Sequence, residues 1–172
     1  YMMERISGVF LRQRPDVLIV QGDTNSVLAG SLVAVKMGIP VAHVEAGLRS
    51  YDRRMPEEIN RIVSDHLSSY LFAPTRTARS TLIAEGVDRR RIHVTGNTIV
   101  DAVRECAALA HPDPPKRPYM LMTLHRQENV DDRRVLRSIL EGLRRVQRRF
   151  GVEIVFPIHP RTALRLSQMK LS

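Results

Sequence analysis

Asp23, Glu45, Glu57 and Glu58 are the acids of this chain best placed for chemistry, because each stands where a short apolar run gives way to a charged loop or a helical pattern. Asp23 closes the run Val17 to Gly22, and Glu45 closes the run Ile39 to Val44. Glu57 and Glu58 follow Pro56 in the first turn of an amphipathic pattern. In an open parallel sheet, ligands bind outside the carboxyl ends of the strands, where carboxylates serve as general acids and bases. Arg49, Arg53 and Arg54 share the loop with Asp52, a richer charge set than a simple connection needs. A second group lies further along: His125-Arg126-Gln127-Glu128-Asn129 follows one apolar run, and His159 and Arg161 follow another. Two histidines and two arginines at neighbouring strand ends suit a diphosphate, by charge and by the forked guanidinium donors. Acids on one side and basic groups on the other fit acid–base work on a sugar or polyol with a phosphate leaving group.

Simpler roles compete for the same residues. An Asp before a helix is a good N-cap, worth about 1 kcal/mol, and that reading fits Asp23 taken alone. Acids in a first helical turn gain several tenths of a kcal/mol from the helix dipole, which accounts for one of Glu57 and Glu58 better than for both. Glu45 gains nothing from capping. No His-x-x-x-His or Cys-x-x-Cys spacing points to a metal, and no Walker A loop or GxGxxG follows a strand, so neither a metal nor a cofactor is expected.

The elements that must position these residues repeat as strand, short loop and helix. Apolar runs at Val17–Val20, Val41–Val44, Tyr70–Ala73 and Ile92–Val94 alternate with helical patterns at Glu4–Gln13, Asn25–Met37, Glu57–Leu67, Pro74–Glu85 and from Thr98 to about Ala110. Continuous rather than alternating apolar strands predict a parallel sheet covered on both faces. His111 to Pro118 holds four prolines and no apolar period, which reads as a hinge over 112–118. The pattern then restarts with strand Tyr119–Thr123, a polar loop, helix Asp131–Phe150, strand Val152–Phe156 and a last helix. The expected organisation is therefore α/β, with residues 1–111 in one Rossmann-like domain, the hinge, and residues 119–172 opening a second, a cleft lying between them.

Charge and composition narrow the function classes. Of the 172 residues 24 are Arg and only 3 are Lys, and the net charge is +9. Nucleic acid is not the expected partner: aromatics are 5%, Trp is absent, and the densest basic stretch, Arg133 to Arg149, alternates with apolar residues at helical spacing. No apolar run approaches the roughly 20 residues of a membrane span, and no signal peptide is visible. The single Cys106 fits a reducing, cytoplasmic setting.

Taken together, Gln21-Gly22-Asp23-Thr24, His43-Val44-Glu45-Ala46-Gly47-Leu48-Arg49, Met55-Pro56-Glu57-Glu58-Ile59-Asn60-Arg61, Thr95-Gly96-Asn97-Thr98, His125 to Asn129 and Pro157-Ile158-His159-Pro160-Arg161-Thr162 resemble the non-hydrolysing UDP-N-acetylglucosamine 2-epimerases. The segments fall in the family's order and nearly span the chain. The resemblance implies a GT-B architecture, with a UDP-sugar between two Rossmann-like domains. It implies an internal fragment, since the family's opening loop and its later Gly- and Ser-rich segment are missing. It implies epimerisation at carbon 2 by loss and re-addition of UDP. By resemblance Asp23, Glu45 and Glu57 match the catalytic carboxylates and His125 the active-site histidine. Arg126, Glu128, Asn129, His159, Arg161 and Arg49 fall to substrate binding. A homodimer of the full-length protein is implied as well. A GT-B glycosyltransferase, a hydrolysing relative that releases N-acetylmannosamine, and a non-catalytic sugar-nucleotide-binding piece are the competing readings.

Overall fold

The computed structural model describes residues 1–109 and 117–170. The chain divides into two compact units, Tyr1–Ala110 and His111–Ser172. Residues 112–116 of the expected hinge lie outside the described residues.

The first unit is a four-stranded parallel sheet in sequential order: β1 (Leu18–Gln21), β2 (Val41–Val44), β3 (Tyr70–Ala73) and β4 (Ile92–Val94). Helices α1 (Met2–Gln13), α2 (Asn25–Lys36), α3 (Pro56–Leu67), α4 (Arg76–Ala84) and α5 (Thr98–Leu109) alternate with them. Each strand is only three or four residues long, so the helices supply most of the buried surface. Phe10, Val20, Val27, Val33, Ala34 and Val41 form one core cluster between α1, α2 and the sheet. Leu71, Ala73, Ala78, Leu82 and Ile92 anchor another under α4. β2 is buried almost residue by residue, as its unbroken apolar run predicts. Among the described residues the helices cover β1 on its Val20 side, and Ile19, on the other side, is 67% exposed.

The second unit pairs β5 (Tyr119–Leu121) with β6 (Glu153–Val155) in parallel. Between them run a short helix α6 (Gln127–Val130) and the long α7 (Arg133–Phe150), and α8 (Pro160–Met169) follows. Leu124, Val130 and Leu136 are its core, flanked by Ile139, Leu140 and Phe156. The arginines of α7 lie on its exposed side, as the periodicity predicts.

Helix ends differ from the pattern where a cap overrides it. α7 begins at Arg133 rather than Asp131, because the Asp132 carboxylate caps the amides of Arg134 and Val135. The expected polar loop before it contains α6.

Candidate functional site

The carboxyl ends of β1 and β2 and the amino end of α3 meet, and each of the four acids is placed by a different device. Gly22, with φ +77°, turns the chain out of β1 in the left-handed region that glycine enters without strain. Thr24, not Asp23, caps α2, its hydroxyl accepting the Val27 amide at 3.4 Å. That frees the Asp23 side chain, which accepts a bond from the Arg61 guanidinium. Asn60 donates to the Asp23 carbonyl at 2.8 Å and to Asn25 Oδ1 at 3.0 Å, fixing the same turn from α3.

Glu45 adopts φ +69°, a conformation that costs a non-glycine residue roughly 1–2 kcal/mol. Such outliers persist where the surroundings over-determine them, and they gather at functional sites. Here the turn brings the carboxylate over the end of β1: Glu45 Oε2 lies 3.7 Å from where a Gly22 Cβ would stand. Gly47 follows with φ +81°, and a Cβ there would run into the Ala78 carbonyl and lie 2.9 Å from Leu82 Cγ.

Beneath these two turns lies a buried polar cluster. His43, 1% exposed, directs Nε2 to the Gly22 carbonyl at 2.8 Å and Nδ1 to Asp65 Oδ1 at 2.7 Å. The other oxygen of Asp65 accepts the Gly47 amide at 3.1 Å and Arg49 at 2.8 Å. Arg49 in turn forks onto Glu85 with bonds of 2.9 and 2.6 Å. The structure therefore gives the Arg49 guanidinium to Asp65 and Glu85 and leaves 2% of the side chain exposed.

The two glutamates of α3 separate cleanly. Glu57 is exposed. Glu58 is 1% exposed and accepts the Ser50 amide at 2.9 Å, the Ser50 hydroxyl at 3.0 Å, the Tyr51 amide at 2.9 Å and Arg61 at 3.1 Å. Burial alone pushes the Glu58 carboxyl up, but the Ser50 and Tyr51 amides, the Ser50 hydroxyl and Arg61 outweigh it and hold the group below the ordinary range. Tyr51 takes φ +58° to present its amide. Arg61 thus joins Asp23 to Glu58.

In the second unit the expected groups sit on open loops. The His125 and His159 rings are 5.7 Å apart, centre to centre, tilted by 35°. His159 caps α8, with Nδ1 accepting the Arg161 amide at 3.2 Å, so its other nitrogen carries the proton and faces outward as a donor. The Thr162 hydroxyl donates to the Leu124 carbonyl, tying the two loops together from below. Arg126, Glu128 and Asn129 lie on or beside α6; Arg126 and Glu128 are exposed, their charged ends 4.0 Å apart. Arg161 turns to Asp131, which Arg165 also binds, and the two arginines hold the Asp131 carboxyl below its usual range.

The structure thus gathers Asp23, Glu45 and Glu58 around the strand ends of the first unit and pairs His125 with His159 in the second. Arg49 and Arg161 are engaged by neighbouring acids. Arg61, Asn60, His43 and Asp65 escaped the sequence reading as working residues. The signal that could have found the first two is their place three and four residues after Glu57, on the side of α3 that meets the sheet. Among the described residues no group of three His, Cys, Asp or Glu could hold a metal ion.

The sequence pattern of UDP-N-acetylglucosamine 2-epimerase matches residues 1–171. The enzyme of that name from Methanocaldococcus jannaschii is 50% identical over 180 residues, covering 99% of this chain and 49% of the relative. A UDP-2,3-diacetamido-2,3-dideoxy-D-glucuronate 2-epimerase of Pseudomonas aeruginosa is 43% identical over 169 residues, covering 94% of this chain and 47% of its own length. The crystal structure of the Methanocaldococcus jannaschii UDP-GlcNAc 2-epimerase in complex with UDP-GlcNAc and UDP superposes with a TM-score of 0.91 at 49% identity, over 99% of this chain and 49% of that one. The chain spans about half the length of the curated relatives it matches. The fold class is α/β and GT-B-like, built on parallel sheets. The chain belongs to the UDP-N-acetylglucosamine 2-epimerase family.

Proposed function

We propose that this chain is the part of a UDP-N-acetylglucosamine 2-epimerase that supplies its acid–base carboxylates and the first loops of its nucleotide side. We read residues 1–111 as the closing part of one Rossmann-like domain, 112–118 as a hinge and 119–172 as the start of the nucleotide-binding domain. The observation that carries the reading is the meeting of Asp23, Glu45 and the first turn of α3 at adjacent parallel strand ends, with Arg61 fixing Asp23. Carbon 2 of the sugar has no adjacent carbonyl to acidify its proton. Elimination avoids that difficulty: a carboxylate takes the C2 proton, the C–H electrons form the C1–C2 double bond, and the C1–O bond breaks to release UDP. In the return step a proton reaches C2 from the opposite face and a UDP oxygen rebonds to C1. Atoms and charge balance, and no cofactor is needed.

Asp23, Glu45 and Glu57 are the groups we assign to these proton transfers. Glu57 is chosen over Glu58 because its carboxylate is open, whereas Glu58 is occupied by its four donors. His125, His159 and Arg126 serve the departing diphosphate, with Glu128 and Asn129 beside them and Arg161 within reach through Asp131. Arg49 acts from below, through Asp65. The reaction belongs to the cytoplasm and to a homodimer of the full-length protein, with no part for nucleic acid or membrane. No helix among the described residues is long and apolar enough to cross a membrane.

The test is proton NMR of UDP-N-acetylglucosamine in deuterated water, with a protein completed to the length of the relatives. Deuterium at carbon 2 with a new manno sugar nucleotide is the expected result. The absence of both exchange and a new sugar would sink the reading. The relative that acts on UDP-2,3-diacetamido-2,3-dideoxy-D-glucuronate makes that sugar nucleotide the second substrate to try, and the faster exchange decides between them.

A further inference from the structure

His43 has no role in the proton transfers above, yet it is the buried group from which both carboxylate-bearing turns hang. Its ring lies in β2 opposite Val20 of β1, 1% exposed, with hydrogen-bond partners at both nitrogens. Nε2 lies 2.8 Å from the Gly22 carbonyl and Nδ1 lies 2.7 Å from Asp65 Oδ1. The other Asp65 oxygen accepts the Gly47 amide and Arg49, so the ring, the Asp65 carboxyl group and the turn after Glu45 form one buried hydrogen-bonded unit. A buried polar network satisfied in this way rigidifies the elements it joins.

We infer that His43 is a positioning residue, which sets Asp23 relative to Glu45. Nε2 holds the carbonyl of the residue before Asp23, and through Asp65 the ring holds the amide two residues after Glu45. One rigid side chain thereby couples the end of β1 to the end of β2. The inference rests on the proposed acid–base roles of Asp23 and Glu45, but the link from the ring through Asp65 to the Gly47 amide can be tested without them.

Two substitutions separate the ring's contacts. The amide nitrogen of His43→Gln falls near Nε2 and keeps the Gly22 contact, whereas that of His43→Asn falls near Nδ1 and keeps the Asp65 contact. In the completed protein each variant breaks one of the two links and should slow carbon-2 exchange about a hundredfold with KM within about threefold, since a small misplacement of reacting groups costs that much. Hydrogen exchange of the Gly47 amide should quicken about tenfold in His43→Gln, which loses the Asp65 contact, and stay unchanged in His43→Asn. An undiminished rate in either variant, or a Gly47 amide that stays equally protected in His43→Gln, overturns the positioning role. Absence of carbon-2 exchange in the unsubstituted protein would instead count against the epimerase reading, leaving the Gly47 amide to decide whether His43 couples the turns.

Discussion

The first unit locks its polar groups against one another, whereas the second leaves its own at the surface. Glu58, His43, Asp65 and Arg49 have almost no exposed side chain and are bonded on nearly every polar atom. His125, Arg126, Glu128 and His159 are exposed, and their mutual contacts are long. The contrast follows the work assigned to each unit. Proton transfer depends on sub-ångström placement, so the turns that carry Asp23 and Glu45 are fixed before substrate arrives, and strain such as the left-handed Glu45 is tolerated there. Groups that hold a diphosphate can be ordered by the ligand itself, because a doubly charged phosphate chain recruits donors strongly.

If this contrast is right, substitutions in the first unit divide into those that kill chemistry and those that kill stability, and the exposed loop groups of the second unit can be replaced without loss of stability. The largest effect belongs to Asp23→Asn and Glu45→Gln. Carbon-2 deuterium exchange in the completed protein should fall by at least about a hundredfold for each, with the melting curve little changed. Glu45→Gly sharpens the point, since it should lose exchange while matching the original thermal midpoint through relief of the positive φ. Next comes Gly47→Ala, which combines a left-handed alanine with a steric clash against Ala78; urea unfolding should show a loss of about 3 kcal/mol. Glu58→Gln should cost about 2–3 kcal/mol by removing a charged acceptor from two amides and Arg61, whereas Glu57→Gln stays within about 0.5 kcal/mol and loses exchange. The depressed Glu58 carboxyl also sets a sign for acid: its contribution is present above the unfolded value of about 4.3 and fades as pH falls through the lower folded value. A urea midpoint insensitive to pH over that fall, or equally sensitive in Glu58→Gln, would remove Glu58 as the organising acid. Smallest of all, His125→Ala should leave stability within about 0.5 kcal/mol while weakening UDP binding, read by calorimetry on the completed protein. A destabilised His125→Ala would erase the contrast between the units.

The alternation of strands and helices was legible because each element carries its own signal. Tyr70–Ala73 and Ile92–Val94 are bounded as their apolar runs predict, and Gly38 and Gly151 stand just past helix ends in positive φ. The acids of the site were visible as charges at strand ends, a local pattern. What the sequence could not display is which acid is taken. Glu57 and Glu58 are identical in type and adjacent, and only the rotation of α3 against the loop from Ser50 to Tyr51 separates them. By resemblance Arg49 falls to substrate binding, and nothing local announces its partners Asp65 and Glu85, which are remote in sequence. Asp23 read equally well as a cap until Thr24 proved to hold the α2 amide. These are pairings across many residues, and propensity carries no information about them.

Arg61 makes two bonds of very different reach: Glu58 is three residues away and Asp23 thirty-eight. On the folding clock these belong to separate events. The short link can form as soon as α3 winds, within microseconds, whereas the long one waits for β1, α2 and β2 to close the loop between them. Helical signal should therefore return before the carboxylate site does when the denatured chain is refolded. The guanidinium that joins the two acids acts as a timestamp, marking the moment at which secondary structure becomes a site.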